Sequence, residues 1–425
     1  MLHLAIAVFC GLALAAVGHL VLAALVVPSF FRAAGANTAV ERFPRVSILV
    51  SLRGADAGLL DNLRSLMQQR YPCYDLWVVV DRLEDPAWKV AEEAIRSTGA
   101  PHVHLAPLRE RRPTCSLKCS ALVQACRDLD DACEVIALAD GDLAAHPDWL
   151  RELVLPLQDE RVGVAFGNRW YMPPCGQWGS LVRYLWNAAA VLLMSHFSIP
   201  WAGTLAIRRS VLLQAGLLEK WGAAVVDDAP LPALLRNLGQ QLQFVPALMM
   251  VNREECSLAA SYEFIKRQLF WTRTYHATWL PLLSLVLAVT FLLLSSVALT
   301  VYGLLASRWD VAAWAGGGLG THYLLMLLLL GTVEVGVRRV VRRRGEATAW
   351  VSPRVLWRLG PALVLTEIVY LAATMAAHFQ EYVVWRGVTY HVRGPWDVRL
   401  VADPPIATAD GGRRQPLTSQ RDESP

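Results

Sequence analysis

Three long stretches without a charged residue constrain this 425-residue chain most strongly. No Asp, Glu, Lys or Arg occurs in residues 1–31, 274–307 or 311–333. A run of about 20 apolar residues is long enough to cross the hydrocarbon core of a bilayer as a helix. The sequence therefore predicts an N-terminal membrane anchor, a helical hairpin in the C-terminal third and a large aqueous domain between them.

Basic residues flank these stretches and predict how they cross the membrane. Arg32, Arg42 and Arg45 follow the first stretch, and a basic run at 338–344 follows the third. Because Lys and Arg concentrate on the cytoplasmic side, we expect the aqueous domain and the basic run to face the cytoplasm of a multi-pass protein in the plasma or inner membrane. The net charge of +4, without a basic stripe that interleaves aromatics, argues against a nucleic-acid partner.

A fourth apolar segment, 359–377, is weaker because Pro361 and Glu367 interrupt it. If the segment spans the membrane fully, the tail from Glu381 lies outside. If it is re-entrant, the tail is cytoplasmic, and the sequence leaves both alternatives open. The predicted organisation is an anchor at 1–31, an aqueous domain at 45–260, an amphipathic interfacial helix at 261–278, a C-terminal membrane bundle at 279–380, a membrane-proximal tail at 381–403 and a disordered tail at 404–425.

The aqueous domain alternates between strand and helix patterns. Short β-rich runs at 46–50, 76–80, 103–105 and 135–138 alternate with helical patterns at 59–69, 88–97 and 116–127. This order predicts an α/β domain with a doubly wound, mostly parallel sheet. Ligands of such sheets bind beyond the carboxyl ends of the strands, where Asp81 and Asp140 stand. No Gly-x-Gly-x-x-Gly turn follows the first strand, which disfavours a dinucleotide-binding fold.

Asp140 and Asp142 stand one residue apart, directly after an apolar strand. At this spacing both carboxylates can reach one divalent cation. Mg²⁺ is usually held by one or two carboxylates together with substrate phosphate oxygens. The alternative is a simple turn, because Asp-Gly is a common turn pair. The pair is therefore a candidate site for a divalent cation, Mg²⁺ or Mn²⁺.

Six short motifs follow one another along the chain: Ser116-Leu117-Lys118, Asp140-Gly141-Asp142, the segment 201–208, Val226-Asp227-Asp228, Arg267-Gln268-Leu269-Phe270-Trp271 and the late segment 384–390. This ordered set resembles the motifs of family 2 type membrane glycosyltransferases. The closest likeness is to the ceramide glucosyltransferase and hopanoid-associated branch, which shares an N-terminal anchor and a C-terminal membrane bundle.

The resemblance implies a GT-A-like fold and an inverting transfer of sugar from a nucleotide-sugar donor, with a UDP-sugar expected, to a lipid acceptor such as a ceramide-like lipid. It assigns the acceptor region to Gly203 and Thr204. Asp228 is implied as the general base, with Asp227 beside it, and Asp140 and Asp142 as the metal ligands. The implied donor-binding residues are Asp81, Lys118, Asp140, Arg267, Trp271 and Arg273.

Two departures from the family pattern bear on the site. Phe270 stands where the family has Arg, and we expect Arg267 or Arg273 to compensate. Asp227 replaces the usual Glu, and the acidic pair has a structural alternative as the N-cap of the helix that starts near Pro230. Asp227 is the better placed of the two to cap, which agrees with the resemblance, since the resemblance implies Asp228 as the base.

Two aromatic and basic segments, 178–197 and 264–279, read as interfacial helices, with ordinary packing against the domain as their alternative. Rival functions are a processive polysaccharide synthase, an inactive transferase, and a membrane transporter or scaffold that only binds nucleotide. The first lacks its expected gating motif, and the last lacks inverted repeats. The sequence gives no indication of the oligomeric state.

Overall fold

The computed structural model describes residues 1–33, 42–348 and 352–406. All but the first three residues of the tail predicted to be disordered lie outside this part of the chain. The described helices are α1 (Leu2–Ala33), α2 (Leu59–Met67), α3 (Pro86–Thr98), α4 (Leu117–Asp128), α5 (Trp149–Val154), α6 (Trp178–His196), α7 (Arg209–Gln214), α8 (Leu217–Trp221), α9 (Leu231–Asn237), α10 (Leu258–Tyr275), α11 (Trp279–Leu305), α12 (Trp309–Arg343) and α13 (Pro353–Phe379). The strands are β1 (Val46–Leu52), β2 (Tyr74–Val80), β3 (Val103–Pro107), β4 (Val135–Ala139), β5 (Val162–Tyr171), β6 (Thr204–Arg208), β7 (Gln241–Asn252), β8 (Tyr382–Trp385), β9 (Val388–Gly394) and β10 (Asp397–Ala402).

A seven-stranded sheet forms the centre of the aqueous domain, in the order β3-β2-β1-β4-β6-β5-β7. Strands β3, β2, β1 and β4 are parallel, and β6 runs antiparallel to both of its neighbours. Strands β1 and β4 are almost entirely buried, as expected for central parallel strands covered on both faces. The predicted α/β class and mostly parallel sheet are confirmed, and every predicted strand and helix from 46 to 128 is present.

Helices α1, α11 and α12 pack together as a bundle on one side of this domain. Among the described residues, three helical stretches are long and apolar enough to cross a membrane: Leu2–Arg32, Trp279–Leu305 and Val355–Phe379. The span predicted at 311–333 lies in α12, which is not one of these three, and its crossing stays a prediction. After α12 the chain is back at the aqueous domain, where Arg344 donates a hydrogen bond to the Met249 carbonyl at 2.6 Å.

Helix α13 runs without a break through Pro361 and lies along α6 and α10. Near its start, Arg358 donates to the Gly176 carbonyl at 3.1 Å. At its end, the His378 carbonyl accepts from Arg273 at 2.7 Å. Both ends of α13 therefore contact the aqueous domain. The tail from Glu381 contacts the aqueous domain through Arg386 and Tyr390, and both alternatives for the segment 359–377, a full span or a re-entrant segment, stay predictions.

The helices predicted as interfacial differ from their expected form. Helix α10 starts at Leu258, three residues before the predicted 261, because Ser257 caps it by accepting from the Ala260 N–H at 3.2 Å. It ends at Tyr275 rather than 278. Much of α6 is buried, including Leu181, Val191 and most residues between them. Packing against the domain therefore describes α6 better than an exposed interfacial position.

The tail predicted as membrane-proximal forms a second, three-stranded antiparallel sheet, β10-β9-β8, hereafter the C-terminal sheet. Its strands β8 and β9 join through the two-residue turn Arg386-Gly387. The sheet docks on the aqueous domain: the Arg386 carbonyl accepts from Arg53 at 2.9 Å, and the Tyr390 hydroxyl accepts from the Leu117 N–H at 3.1 Å. These contacts bring residues near the end of the chain to the carboxyl ends of β1 and β2.

Candidate active site

A cleft opens at the carboxyl ends of the parallel strands, between the central sheet, α10 and the C-terminal sheet. It gathers most of the site residues expected from the sequence, together with several that were not expected. Its polar and aromatic lining includes Arg53, Asp56, Asp81, Lys118, Asp140, Asp142, Arg169, Trp201, Asp227, Asp228, Phe264, Arg267, Trp271, Trp385, Arg386 and Tyr390. The predicted location beyond the strand ends is therefore where the acidic and basic side chains converge.

Lys118 connects two parts of the cleft. Ser116 caps α4 by accepting from the Cys119 N–H at 3.1 Å, which places Lys118 in the first turn. Its Nζ lies 2.8 Å from Asp140 Oδ1 and 3.1 Å from Asp227 Oδ2. Burial opposes the charged ammonium, but Asp140 and Asp227 outweigh burial and raise the pKa of Lys118. Lys118 is thus a fixed cation between the end of β4 and the acidic pair at 227–228.

Asp140 and Asp142 line the cleft together. Burial would raise the pKa of Asp140, but Lys118 and Arg169 outweigh it and lower the pKa, so this carboxylate stays ionised. Within residues 1–33, 42–348 and 352–406, no group of three or more His, Cys, Asp or Glu side chains is placed to hold a metal. Such a pair suits a cation that takes further ligands from phosphate oxygens.

The neighbours Asp227 and Asp228 have different environments. Asp227 is only 1% exposed and pairs with Lys118. Asp228 is part-exposed in the cleft, and its Oδ2 accepts from the Ala202 N–H at 2.8 Å. Burial and the adjacent Asp227 charge raise the pKa of Asp228 to about 7. A carboxyl with a pKa near neutrality is suited to act as a general base.

The expectation that Asp227 caps a helix is wrong. Within the described chain, α9 begins at Leu231 after Pro230 and has no side-chain cap. The Leu231 N–H instead donates to the Asp228 carbonyl at 3.0 Å. The Asp227 carboxylate is used by the buried ammonium of Lys118, which requires a counter-charge more strongly than an exposed helix end does.

One face of α10 lines the cleft through Phe264, Arg267 and Trp271, which recur at helical spacing. Phe270 lies on another face and is fully buried. The Arg273 guanidinium lies 4.8 Å from the Phe270 ring and donates to the His378 carbonyl. Arg273 is therefore not among the lining residues, contrary to the sequence expectation. Because position 270 faces the core, the Arg-to-Phe departure does not remove a charge from this cleft.

The two residues of the predicted acceptor segment have different surroundings. A Cβ at Gly203 would lie 2.0 Å from the Trp201 ring and 2.7 Å from Asp140 Oδ2, so only glycine fits beside the cleft here. Thr204 is fully buried, and its hydroxyl accepts from the Trp149 indole N–H at 3.3 Å. Gly203 thus borders the site, whereas Thr204 supports it from the core.

Asp81, one of the expected donor-binding residues, is held by two guanidiniums. Arg111 donates to its Oδ1 at 2.6 Å, and Arg53 contacts its Oδ2. Asp403, which follows the C-terminal sheet, pairs with the same two arginines. The side chain of Asp81 is only 3% exposed. In this structure Asp81 positions two arginines rather than projecting freely into the cleft.

A family model described as "Glycosyl transferase family 21" matches residues 4–396. The chain belongs to glycosyl transferase family 21. The match confirms the resemblance to the ceramide glucosyltransferase type and the GT-A-like fold, and it covers nearly the whole chain. The protein is therefore a glycosyltransferase that uses a nucleotide sugar, and the transporter and scaffold alternatives are not supported.

Solved structures with similar folds include two sugar transferases. One is the mannosyltransferase PcManGT from Pyrobaculum calidifontis in complex with GDP-Man and Mn²⁺, at 16% identity over 88% of this chain and 99% of that chain, with a TM-score of 0.48. Another is the glucosyl-3-phosphoglycerate synthase from Mycobacterium tuberculosis in complex with Mg²⁺ and UDP, at 16% identity over 58% of this chain and 83% of that chain, with a TM-score of 0.35.

Three cleft-lining arginines of this family 21 glycosyltransferase, Arg53, Arg169 and Arg386, were missed by the sequence reasoning. Arg169, on β5, stacks 4.3 Å over the Trp201 ring and lies 3.5 Å from Asp140 Oδ2. Arg386 enters from the turn of the C-terminal sheet. Burial, followed by the charges of Arg169 and Arg386, lowers the pKa of Arg267 to about 10. Arg169, Arg267 and Arg386 all line the cleft, where together they form a positive patch that suits a diphosphate.

The sequence held a local signal for Arg53 and for Arg169, but none that places Arg386 at the cleft. Arg53 follows β1 as Asp81 follows β2, so the strand-end rule could have identified it. Arg169 stands inside an apolar strand, where an unpaired charge is costly, and this was a usable signal of a functional position. Arg386 belongs to a late motif whose resemblance was recognised, but no spacing along the chain connects it to the strand ends.

Proposed function

We propose that this glycosyltransferase transfers a sugar from a nucleotide-sugar donor, a UDP-sugar in the first instance, to the hydroxyl of a membrane lipid such as a ceramide-like lipid, with inversion at the anomeric carbon. One observation carries the proposal. A base candidate, a pair of carboxylates and a cluster of cations line one cleft, and a wall of that cleft is α10, which leads directly into the apolar helix α11.

Asp228 is the group proposed to accept the proton of the acceptor hydroxyl. As the acceptor oxygen forms its bond to the anomeric carbon, the bond from that carbon to the diphosphate oxygen breaks, and the nucleoside diphosphate leaves with the electron pair. Because this is a single displacement, it inverts the anomeric centre. Lys118, Arg169 and Arg267 place positive charge in the cleft before the reaction, where it favours the departing diphosphate.

Asp140 and Asp142 are the residues proposed to hold a divalent cation. When bound, such an ion supplies Lewis-acid stabilisation of the leaving diphosphate. The fixed ammonium of Lys118 keeps Asp140 ionised beside it. An ionised carboxylate is the form that binds Mg²⁺ or Mn²⁺, so the local charge arrangement supports this role.

The lipid acceptor is supported by where the cleft lies relative to the apolar helices. Phe264 and Trp271 place aromatic surface on the cleft wall, and α11 starts four residues after α10 ends. The Trp279 indole, at the start of α11, donates to His378 at the end of α13 at 3.1 Å. An acceptor hydroxyl of a lipid headgroup could thus reach Asp228 while its chains stay beside the membrane helices.

The catalytic test is nucleotide release by the purified full-length protein in detergent. We expect UDP release from a UDP-sugar to require both a ceramide-like lipid and Mn²⁺ or Mg²⁺, and to stop when EDTA removes the cation. A panel of UDP- and GDP-sugars, each with and without lipid, identifies the donor. A water-soluble polymer formed without any lipid product would instead support a processive synthase, and no release with any donor would contradict the proposal.

We further propose that the aqueous domain, the basic loop after α12 and the C-terminal sheet all face the cytoplasm, because of their flanking arginines. The test uses single cysteines in a background in which the exposed Cys10 and Cys175 are replaced by serine. A cysteine at Arg399, on β10, should resist a membrane-impermeant reagent in intact cells. A cysteine at Trp309, at the α11–α12 turn, should be labelled. The reverse pattern would overturn the orientation.

A further inference from the structure

Arg386 occupies an unusual backbone position at the tip of the C-terminal sheet. Trp385 pairs with Val388, so Arg386 and Gly387 form a two-residue hairpin loop with positive φ angles of 52° and 79°. Turns of this type prefer Asn-Gly or Gly-Gly, because left-handed backbone is unfavourable for a residue with a long side chain. Arg53 fixes the turn by donating to the Arg386 carbonyl. The Arg386 side chain is therefore held in a defined place, although its left-handed backbone conformation is unfavourable.

The Arg386 guanidinium points into the cleft and is held by an exchangeable partner. It contacts both carboxylate oxygens of Asp56, with Nη1 2.7 Å from Oδ1. The two side chains are 47% and 38% exposed. Ion pairs this exposed contribute little stability, so Arg386 can exchange this partner for a stronger anion. A diphosphate offers guanidinium groups two-point hydrogen bonding with a higher charge than a carboxylate.

Three guanidiniums reach the cleft from three different elements. Helix α10 contributes Arg267, and its position 270 is a buried phenylalanine. Strand β5 contributes Arg169, which is already engaged with Asp140 and the Trp201 ring. Arg386 alone among these guanidiniums comes from outside the α/β domain. It lines the same cleft as Asp140 and Asp142, the two proposed cation ligands, and its charge acts on both carboxylates.

We propose that Arg386 is a donor-binding residue: on binding of the nucleotide sugar its guanidinium leaves Asp56 and contacts the diphosphate. The inference rests on the proposed function and deepens it. It makes the C-terminal sheet part of the active site, although this sheet lies outside the α/β domain in both sequence and fold. The donor site is then complete only when the tail is docked through Arg53 and Tyr390.

The test is Arg386→Asn in the full-length protein in detergent. Asn-Gly is a preferred pair for this turn, so the variant removes the guanidinium without disfavouring the hairpin. With Mn²⁺ present, we expect UDP to bind about 10- to 100-fold more weakly, the range expected for loss of a charged hydrogen bond. Uridine, which lacks phosphate, should bind to the variant with the same affinity as to the parent protein. Arg393→Ala, an exposed arginine on β9, is the matched control and should leave both affinities unchanged.

The affinities of Arg386→Asn for UDP and uridine distinguish a role in donor binding from a role in docking of the C-terminal sheet. A loss confined to UDP, partly restored in Arg386→Lys, supports the inference. Parental affinity for UDP in Arg386→Asn overturns it. An equal loss for UDP and uridine, with a lower melting temperature, also overturns it, because the residue would then act only through docking of the C-terminal sheet. If the parent protein binds neither UDP nor GDP with Mn²⁺, the proposed function fails first, and the inference fails with it.

Discussion

Replacing Asp228 by Asn is expected to lower the rate of sugar transfer by about 10²- to 10⁴-fold, the usual contribution of a general base. Donor affinity should change little, because the side chain of Asp228 is not expected to contact the diphosphate. The physical basis is the environment of the carboxyl: it is part-exposed in the cleft, fixed by the Ala202 N–H at 2.8 Å, and has a pKa raised to about 7 by burial and by Asp227.

Asp227→Asn is the matched control, since it makes the same chemical change one residue away. Its carboxylate is 1% exposed and paired with Lys118 at 3.1 Å, so we expect a smaller loss of turnover and a lower melting temperature. Transfer rate, UDP affinity and melting temperature are measured for both variants. If Asp227→Asn abolishes transfer while Asp228→Asn does not, the base is assigned to the wrong residue.

The pH dependence of kcat/KM is a second test of Asp228 as the general base. A general base accepts a proton only when it is ionised. Because the pKa of Asp228 is raised to about 7, kcat/KM should fall as the pH drops below about 7 and level off above it. This acid limb should disappear in Asp228→Asn. An unchanged limb in a variant that still turns over would show that another group titrates there.

The central sheet and its first helices could be predicted because their signals are local. The apolar runs 46–50 and 135–138 correspond to strands β1 and β4, which are buried on both faces. Because ligands of such a sheet bind beyond the carboxyl ends of its strands, Asp81 and Asp140 are expected at one edge. The same rule led us to expect Asp81 and Asp140 in the site, whereas Asp227 and Asp228 were expected from the family resemblance. No distant contact is needed for either inference.

The errors and omissions arise from tertiary contacts. The sequence suggested that Asp227 caps α9, but the buried ammonium of Lys118, more than 100 residues earlier, uses that carboxylate. Arg273 was expected in the cleft, but the α10 face that carries it packs against α13. The C-terminal sheet completes the cleft through a contact between Arg53 and Arg386, and no periodicity or spacing along the chain encodes such a pairing.

The cation prediction can be tested most cleanly at Asp142. Asp140 also pairs with Lys118, so its loss changes the charge balance of the cleft as well as the metal ligands. Asp142→Asn removes one proposed ligand and leaves the Lys118 pairs in place. Loss of a residue that only supports a metal ligand costs about 10- to 100-fold in metal affinity, so loss of a ligand itself should weaken Mn²⁺-dependent UDP binding by about 10²-fold or more.

Titration calorimetry with UDP, with and without Mn²⁺, separates this effect from a general loss of binding. The parent should bind UDP much more tightly with Mn²⁺ than without, whereas Asp142→Asn, which keeps Asp140, should show a much smaller difference between the two conditions. Asp131→Asn, a fully exposed carboxylate paired with Arg209, is the control and should behave as the parent. The double variant Asp140→Ala, Asp142→Ala should lose metal dependence altogether. If it folds and binds UDP with Mn²⁺ as tightly as the parent, the cation is held elsewhere, because no carboxylate would then remain at the end of β4 to bind it.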